Sequence, residues 1–373
     1  MRVLLLSTTY PRDATDWRGT FIRNMANSIA HADMVQLSIW APPGELPEST
    51  VDIATSAETL WLGKLMAAGG ISHLIRSGGV RAWLAPFTLL RMLSAVYRRQ
   101  FDMDIYHVNW LQCALPLPAN GKPALITALG NDLKLLRLPL VRRLLRRAMR
   151  HRQVAICPNA EWMQAPLQEA FGDVATVIPV SFGIDDRWYA IKRQVPASQP
   201  KRWLAVTRLT ADKLGPLFEW SMHCFGDGQR ELHLFGPMQE NIDIPAWVHY
   251  HGAASPDRLA TEWMPNACGL VTLSRHAEGC PQVILEAMAA GLPVIASDMP
   301  AHAALVAPGV TGELCGSPEG YLQALDKLED AAINQRFGEA ARHMAAQRFG
   351  TWSDCAQRYT AIYRALLEPT ANG

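Results

Sequence analysis

The sequence lacks the features of a disulfide-rich, zinc-binding or membrane-spanning protein. Its seven cysteines are scattered along the chain and no two form a C-x-x-C pair, which argues against a zinc site and a disulfide framework. No uninterrupted apolar run reaches the ~18 residues that a spanning helix needs. The start "MRVLLLSTTYPRD" has too short an apolar run for a signal peptide, and no small-residue cleavage site follows. These absences predict a cytoplasmic protein that does not cross a membrane.

An excess of charge of one sign is also absent. The formal net charge is +1 over 373 residues, so the chain as a whole indicates no polyanionic partner. The chain has no internal repeat and no low-complexity tract. With 49% hydrophobic residues, it is long enough for two domains that each bury a core.

Short β-rich runs alternate with longer helical stretches, a pattern typical of parallel sheets built from βαβ units. The runs fall into two sets, which predicts an α/β fold with two Rossmann-like, doubly wound parallel sheets. The first set is "RVLLLST", "MVQLSIWA", "MDIYHVNW", "ALITALG", "QVAICPN" and "ATVIPVS", and the second is "RWLAVTRL", "ELHLFGP", "WVHYHG", "CGLVTLS", "PVIASD" and "GELCG".

A polar, Pro-containing stretch between the two sets, "SFGIDDRWYAIKRQVPASQPKR", has the composition of a linker. It places the domain boundary near Asp185. We therefore expect an N-terminal domain over 1–184 and a C-terminal domain over 185–350. The last stretch, 351–373, has apolar residues at helical spacing and can pack on either domain, including back onto the first.

The segment "EGCPQVILEAMAAGLPVIASD" combines two carboxylates with a predicted helix. Pro281 suits the first helical position and Gly291 the position just past the end. The segment therefore predicts a helix of about ten residues. Glu278 lies in the loop before this helix, and Glu286 lies one and a half turns inside it.

Two cations follow another candidate strand, in "VTRLTADKLGP". Arg208 offers a planar fork and Lys213 a point charge, a combination suited to a diphosphate. Loops at the carboxyl ends of parallel strands bind ligands, and helix N-termini bind anions. The basic and acidic groups together point to a ligand like a nucleotide sugar.

These residues give the chain its resemblance to a known family, the retaining family 4 glycosyltransferases with the GT-B fold. Glu278 and Glu286 match the family's pattern of two Glu residues separated by seven, and "RLTADK" matches its Arg-Leu, three residues, Lys pattern. The likeness continues through "VHYHGAASPDRL" and "LVAPGVTGELC". The resemblance implies two Rossmann-like domains facing a cleft, with the acceptor bound on the first and the nucleotide sugar on the second.

The resemblance also implies roles for individual residues. Glu286 would bind the ribose hydroxyls, Arg208 and Lys213 would hold the diphosphate, and Glu278 would contact the donor sugar. Gly19 in "YPRDATDWRGTFIRNMANSIA" would let the backbone approach the donor phosphate at a helix start. The expected donor contacts around Glu278 are His276, Gly279, Cys280 and Pro281.

The first domain matches the family less closely. The family often carries His-x-His after the strand in "DMDIYHVNW", and Asn109 stands at the second His. Asn cannot carry a proton near neutral pH, and a role for His107 in its place stays open. Asp132 in "LGND" is retained, although Leu129 replaces the usual His. Asn109, His107 and Asp132 are the candidate acceptor or sugar contacts.

The expected chemistry needs neither metal nor cofactor. Fixed cations stabilise the charge that grows on the leaving diphosphate, and no Asp-x-Asp pair stands at the carboxyl end of a predicted strand to hold a metal. The resemblance implies retention of the anomeric configuration, with a donor phosphate oxygen taking the acceptor's proton.

The first domain carries two basic, acid-free stretches. One is "LKLLRLPLVRRLLRRAMRHR", where apolar and basic pairs alternate as in a helix on an anionic membrane. The other lies between Leu60 and Phe101. They predict peripheral attachment to the inner membrane and a lipid-linked acceptor. In the plainer alternative, Leu144 and Leu145 pack in a core and the arginines face water. No recognised nucleic-acid motif is present.

The predicted function is sugar transfer from a nucleotide-diphosphate sugar to a hydroxyl of a glycan or lipid-linked acceptor, in bacterial surface polysaccharide or lipopolysaccharide synthesis. One alternative is a nucleotide-sugar 2-epimerase, which would convert the donor without an acceptor. The other is a catalytically inert nucleotide-sugar-binding subunit, whose motif carboxylates and cations would be expected to decay.

Overall fold

The computed structural model describes residues 1–13, 16–71, 84–194 and 200–368. The chain divides into two compact units. The first unit is Met1–Phe182 together with Trp352–Gly373, and the second is Gly183–Thr351. Among the described residues, no helix is both long and apolar enough to span a bilayer.

The first unit is built on a seven-stranded sheet in the order β3-β2-β1-β4-β5-β6-β7. Every pairing in it is parallel. The strands are β1 (Arg2–Leu6), β2 (Gln36–Trp40), β3 (Val51–Asp52), β4 (Ile105–Asn109), β5 (Ala124–Ala128), β6 (Val154–Pro158) and β7 (Thr176–Val177). The central strands are buried along nearly their whole length, as expected of a sheet covered by helices on both faces.

Six helices complete the described part of the first unit. They are α1 (Thr20–Ala30), α2 (Ser56–Ala67), α3 (Ala85–Arg99), α4 (Pro139–Met149), α5 (Gln164–Phe171) and, at the end of the chain, α14 (Trp352–Leu367). Short 3₁₀ segments are Leu111–Ala114, Gly130–Arg137 and Glu161–Met163. Helix α14 packs on α1, and its apolar face joins the core of the first unit.

The second unit contains a six-stranded sheet in the order β10-β9-β8-β11-β12-β13. Its pairings are also all parallel. The strands are β8 (Lys201–Val206), β9 (Arg230–Phe235), β10 (Val248–Tyr250), β11 (Gly269–Thr272), β12 (Val294–Ser297) and β13 (Gly312–Cys315). The prediction of two doubly wound parallel sheets is confirmed.

The helices of the second unit are mostly short. They are α6 (Asp186–Tyr189), α7 (Ala211–Leu214), α8 (Leu217–Ser221), α9 (Pro256–Arg258), α10 (Gln282–Ala289), α11 (Pro300–Ala303), α12 (Pro318–Leu328) and α13 (Ala331–Arg348). A π-helical turn spans Leu259–Trp263 and a 3₁₀ turn spans Met264–Asn266.

Both sheets reverse their winding direction at one point. The reversal lies between β1 and β4 in the first sheet, and between β8 and β11 in the second. At such a point the loops after the two strands diverge to opposite faces and leave a crevice at the carboxyl edge, which is where doubly wound sheets bind ligands. The loops after β1, β4, β8 and β11 are therefore the places to look for a site.

Candidate active site

The loop after β8 carries both predicted cations of the second unit. The Thr210 hydroxyl caps α7 by accepting a hydrogen bond from the Lys213 N–H at 3.3 Å. Gly215, with φ of 55°, ends this helix so close to β11 that an added Cβ would lie 2.0 Å from the Leu273 carbonyl oxygen. The loop of Arg208 and Lys213 therefore lies directly against the end of the neighbouring strand.

Lys213 and Glu278 form an ion pair across the point where the sheet reverses its winding. Their side chains are 12% and 18% exposed. Burial lowers the pKa of Lys213, the Glu278 carboxylate acts in the opposite direction, and the nearby charge of Arg208 lowers it further. Arg208 donates a hydrogen bond to Gln239 Oε1 at 3.3 Å. Two cations and a carboxylate that sequence analysis placed on separate loops thus lie together at one edge of the sheet.

The turn after Glu278 leads directly into α10. Pro281 has an extended conformation and occupies the N-cap position, so the helix begins at Gln282, one residue later than predicted. Gly291 has φ of 77°, as a residue just past a helix end often does. Burial raises the pKa of Cys280 to about 12, with Glu278 adding to the effect, so Cys280 remains a neutral thiol at neutral pH. His276 lies partly buried in the same loop.

Glu286 lies one and a half turns into α10 and is only partly buried. Burial raises its pKa to about 7, the negative charge of Asp185 adds to this effect, and Arg187 opposes it. Arg187 is already paired with Asp185 and with Asp257, at 2.9 and 2.6 Å. Among the described residues, the Glu286 carboxyl has no hydrogen-bond partner. A poorly solvated carboxyl without a protein partner is the kind of group that a ligand hydroxyl satisfies.

In the first unit, Gly19 stands at the reversal point of the other sheet. It is the N-cap of α1 with φ of 74°, a left-handed conformation that glycine adopts readily. An added Cβ would lie 2.6 Å from Thr9 Cγ2 and 3.1 Å from the Tyr10 backbone nitrogen. The loop after β1 therefore needs glycine here on both conformational and steric grounds.

His107 lies in the core of the first unit. The ring is fully buried on β4, with Nδ1 2.5 Å from the Tyr363 hydroxyl and Nε2 2.8 Å from Thr127 Oγ1. Burial lowers its pKa to about 3. Both ring nitrogens are occupied by hydroxyl groups of the protein, which argues against the acceptor or sugar contact considered for His107.

Asn109 is the last residue of β4 and Asp132 follows β5, both at the carboxyl edge of the same sheet. Asn109 donates to the Leu6 carbonyl at 3.1 Å, while its Oδ1 is buried without a partner among the described residues. Asp132 accepts a hydrogen bond from the Leu129 N–H at 2.8 Å. Burial raises the pKa of Asp132 to about 7 against the effect of its backbone donors. Asn109 thus has a side-chain oxygen that is available to a ligand. The Asp132 carboxyl is instead used in part by the hydrogen bond within its own loop.

A metal site is not evident in the part of the chain that the structure describes, where no three His, Cys, Asp or Glu side chains are grouped to hold an ion. The motif residues of the second unit are two cations, Arg208 and Lys213, and two carboxyl groups, those of Glu278 and Glu286.

Two doubly wound parallel sheets with this arrangement define the GT-B fold. The structure is similar over 98% of its length to sucrose-phosphate synthase from Thermosynechococcus elongatus, with a TM-score of 0.71, 17% identity and 99% of that chain covered. It is also similar to HepE from Anabaena, solved in complex with UDP and glucose, with a TM-score of 0.66, 16% identity, and 98% of this chain and 100% of that chain covered.

The family described as "Glycosyl transferases group 1" matches residues 204–330, which lie within the second unit. The predicted family resemblance is thereby confirmed. D-inositol 3-phosphate glycosyltransferase of Streptomyces griseus is 33% identical over 145 residues, 38% of this chain and 30% of its own. Lipopolysaccharide 1,6-galactosyltransferase of Salmonella typhimurium is 32% identical over 98 residues, 26% of this chain and 27% of its own. The matches span less than a third of these relatives.

Sequence reasoning missed several side chains around this site. Asp185 and Arg187 surround Glu286 electrostatically, although the sequence marks them only as part of a polar linker. Gln239 contacts Arg208 from a loop after β9. His302 follows β12 and feels the charges of both Lys213 and Glu278. Gln239 and His302 share one signal, which is a position within a few residues after a strand of the second sheet, whereas Asp185 and Arg187 precede that sheet in the chain.

Proposed function

We propose that this protein is a retaining glycosyltransferase that moves a sugar from a nucleoside-diphosphate sugar to a hydroxyl group of a glycan or lipid-linked acceptor. The observation that carries the proposal is the grouping of Arg208, Lys213 and Glu278 at the reversal point of the second sheet. Glu286 adds a carboxyl without a protein partner on the helix that begins there.

Each group has a role that suits its chemistry. Arg208 and Lys213 neutralise the diphosphate, and the first-turn N–H groups of α10 add a partial positive charge. The Glu286 carboxylate accepts hydrogen bonds from the ribose hydroxyls. Glu278 accepts hydrogen bonds from the donor sugar and keeps Lys213 in place before the diphosphate arrives.

The reaction breaks the bond between the sugar C1 and the diphosphate oxygen and forms one between C1 and the acceptor oxygen. Negative charge grows on the leaving diphosphate as the sugar becomes an oxocarbenium-like species. The fixed cations stabilise that charge in a site with little water. The acceptor proton passes to a donor phosphate oxygen, and attack from the leaving-group face retains the configuration.

The first unit is proposed to bind the acceptor. Asn109 Oδ1 is an unused hydrogen-bond acceptor at the end of β4. It lies at the reversal point of the first sheet, which supports a second ligand-binding edge. Asp132 lies after the next strand along that edge.

The outer surface of the first unit supports a lipid-linked acceptor. Helix α4 buries Leu145 and exposes Leu140 by 70% and Leu144 by 45%. Arg142, Arg143 and Arg147 are exposed on the same helix. Helices that present apolar and basic side chains together bind anionic membrane surfaces.

A groove beside α4 extends this surface. It has a volume of about 780 Å³ and runs between Leu90 of α3, the segment Leu115–Leu117, and Leu144 of α4. Arg147 and Arg150 also line it. Phe87, on α3, is 70% exposed. An apolar groove with basic residues suits a lipid that carries an anionic headgroup. Residues 72–83, within the second predicted basic stretch, lie outside the described residues.

These features support attachment to the cytoplasmic face of a bacterial inner membrane and a place in lipopolysaccharide or other surface-polysaccharide synthesis. The similarity to a lipopolysaccharide galactosyltransferase is in keeping with this pathway. The HepE complexes, which contain UDP or UDP-glucose, make UDP-glucose the first donor to test.

The test is release of nucleoside diphosphate from a nucleotide sugar, with and without a bacterial lipid extract as acceptor. Lys213→Ala is expected to slow release by about 10²–10³-fold, because it removes a fixed cation from the leaving group. Lys192→Ala, an exposed lysine of the same unit, is the matched control and should behave like the parent. Equal rates for the two variants, both folded by circular dichroism, would contradict the site assignment.

The same reactions discriminate the alternatives. A 2-epimerase would convert the nucleotide sugar to its epimer without acceptor, which proton NMR of the nucleotide sugar detects. An inert binding subunit would bind the nucleotide sugar without either reaction. We expect diphosphate release that increases when acceptor is added, and no epimer.

A further inference from the structure

A buried histidine lies beside the proposed donor site. His302 belongs to α11, directly after β12, and its side chain is fully buried. Burial lowers its pKa, while Glu278 raises it and Lys213 lowers it. The ring is therefore neutral near pH 7 and lies within electrostatic reach of the Lys213–Glu278 ion pair.

The tautomer of His302 follows from its hydrogen bonds. Nδ1 lies 3.0 Å from the Ser297 carbonyl oxygen, and a carbonyl only accepts hydrogen bonds. Nδ1 therefore carries the hydrogen and donates it. Nε2 is left as a bare lone pair, and it has no hydrogen-bond partner among the described residues.

A short chain of hydrogen bonds connects His302 to the loop that bears Glu278. The Ser297 hydroxyl, 3.1 Å from His302 Nδ1, donates to the Ser274 carbonyl at 2.6 Å. The Ser274 hydroxyl accepts from the His276 N–H at 3.1 Å. These hydrogen bonds join the end of β12 to the loop after β11. The last of them is made by His276, two residues before Glu278.

We propose that His302 is a positioning residue, which acts through Ser297 and Ser274 to hold Glu278 in place for the donor sugar. The inference rests on the proposed function, in which Glu278 contacts that sugar. A neutral imidazole suits the task because it supplies an N–H donor without a charge. A cation at this place would repel Lys213 and compete with it for Glu278.

Three substitutions separate this role from simple packing. His302→Asn keeps an N–H donor at the level of Nδ1, His302→Leu has a similar size but no donor, and His343→Leu alters an exposed histidine of α13. We expect His302→Leu to lower kcat for nucleoside-diphosphate release by about tenfold or more. His302→Asn should stay within about threefold of the parent, as should His343→Leu.

A binding measurement with the free nucleoside diphosphate distinguishes misplacement of the donor sugar from a general loss of structure. His302→Leu should bind the free nucleoside diphosphate as the parent does, because Glu286, Arg208 and Lys213 hold that part of the donor. A further comparison uses Glu278→Gln. In that background His302→Leu should cause little additional loss, because its effect passes through Glu278.

Three results would overturn the inference. They are equal kcat values for His302→Asn and His302→Leu, additive losses with Glu278→Gln, or a ¹⁵N NMR spectrum of the parent in which His302 carries its hydrogen on Nε2. An inactive parent is a different outcome. It would refute the proposed function itself, and with it this role.

Discussion

At the scale of single residues, the two motif carboxyl groups lie in contrasting surroundings. Glu278 is paired with Lys213, whereas Glu286 has a pKa raised to about 7 and no hydrogen-bond partner among the described side chains and backbone. A carboxyl that titrates near neutrality is a sensitive reporter of its ligand, because hydroxyl groups bind the ionised form more strongly.

We therefore expect nucleotide-sugar affinity to increase with pH. Below about pH 7 the free Glu286 is mostly protonated and must lose its proton before it accepts two ribose hydroxyls. Between pH 6 and pH 8 the affinity should rise by about fivefold to tenfold. Isothermal titration with a nucleotide sugar is suitable, because its diphosphate stays fully ionised over this range.

Glu286→Gln is the matched variant for this measurement. It keeps the size of the side chain and removes the titrating group, so its weaker binding should change little between pH 6 and pH 8. The same pH dependence in parent and variant would assign the titration to another group.

At the scale of elements, α4 differs from a basic helix whose arginines all face water. Arg146 donates to the Ala170 carbonyl at 2.8 Å and forms an ion pair with Asp173, so it stabilises the first unit. Leu145 packs in the core, while Leu144 is exposed. The plainer alternative from the sequence, in which both leucines are buried, therefore holds for Leu145 and not for Leu144. The remaining arginines and exposed leucines form the surface available to a membrane.

Charge reversal of this surface tests the membrane proposal. Replacement of Arg142, Arg143 and Arg147 by Glu should greatly reduce flotation with vesicles of anionic phospholipid. The reason is that each basic residue near such a surface contributes ~1 kcal/mol. Arg146 is left intact because its replacement would break the ion pair with Asp173.

The matched control changes the same number of charges elsewhere. Lys192, Arg336 and Arg364 are exposed, and their replacement by Glu gives an equal change in net charge. This control should float with anionic vesicles like the parent. Equal flotation of the α4 variant and the control would refute the role of α4.

At the scale of the whole molecule, much of the architecture was predictable from sequence. The β-rich runs anticipated every strand except β3, which has only two residues, both exposed, and so leaves no apolar run to detect. The Glu278 and Glu286 motif and the two cations were found by spacing, since parallel strands bring their following loops to one edge.

Other features depend on contacts that spacing does not reveal. His107 is bound by Tyr363, 256 residues further along the chain, so its burial depends on where α14 packs. Arg146 of α4 forms an ion pair with Asp173, which lies in the connection between α5 and β7. The link between His302 and the Glu278 loop depends on the contact between Ser297 and Ser274, which lie at the carboxyl ends of neighbouring strands. Residue spacing does not reveal that contact.

The central claim is that the second unit binds a nucleotide sugar through Glu286 and its neighbouring cations. The most direct test is thermal-shift binding of the whole protein against UDP-, GDP-, ADP- and TDP-sugars and the matching free nucleotides, with parent and Glu286→Ala in parallel. We predict a rise in Tm for one nucleotide class that the variant loses. No rise with any of these ligands, or a rise that Glu286→Ala retains in full, would contradict the account.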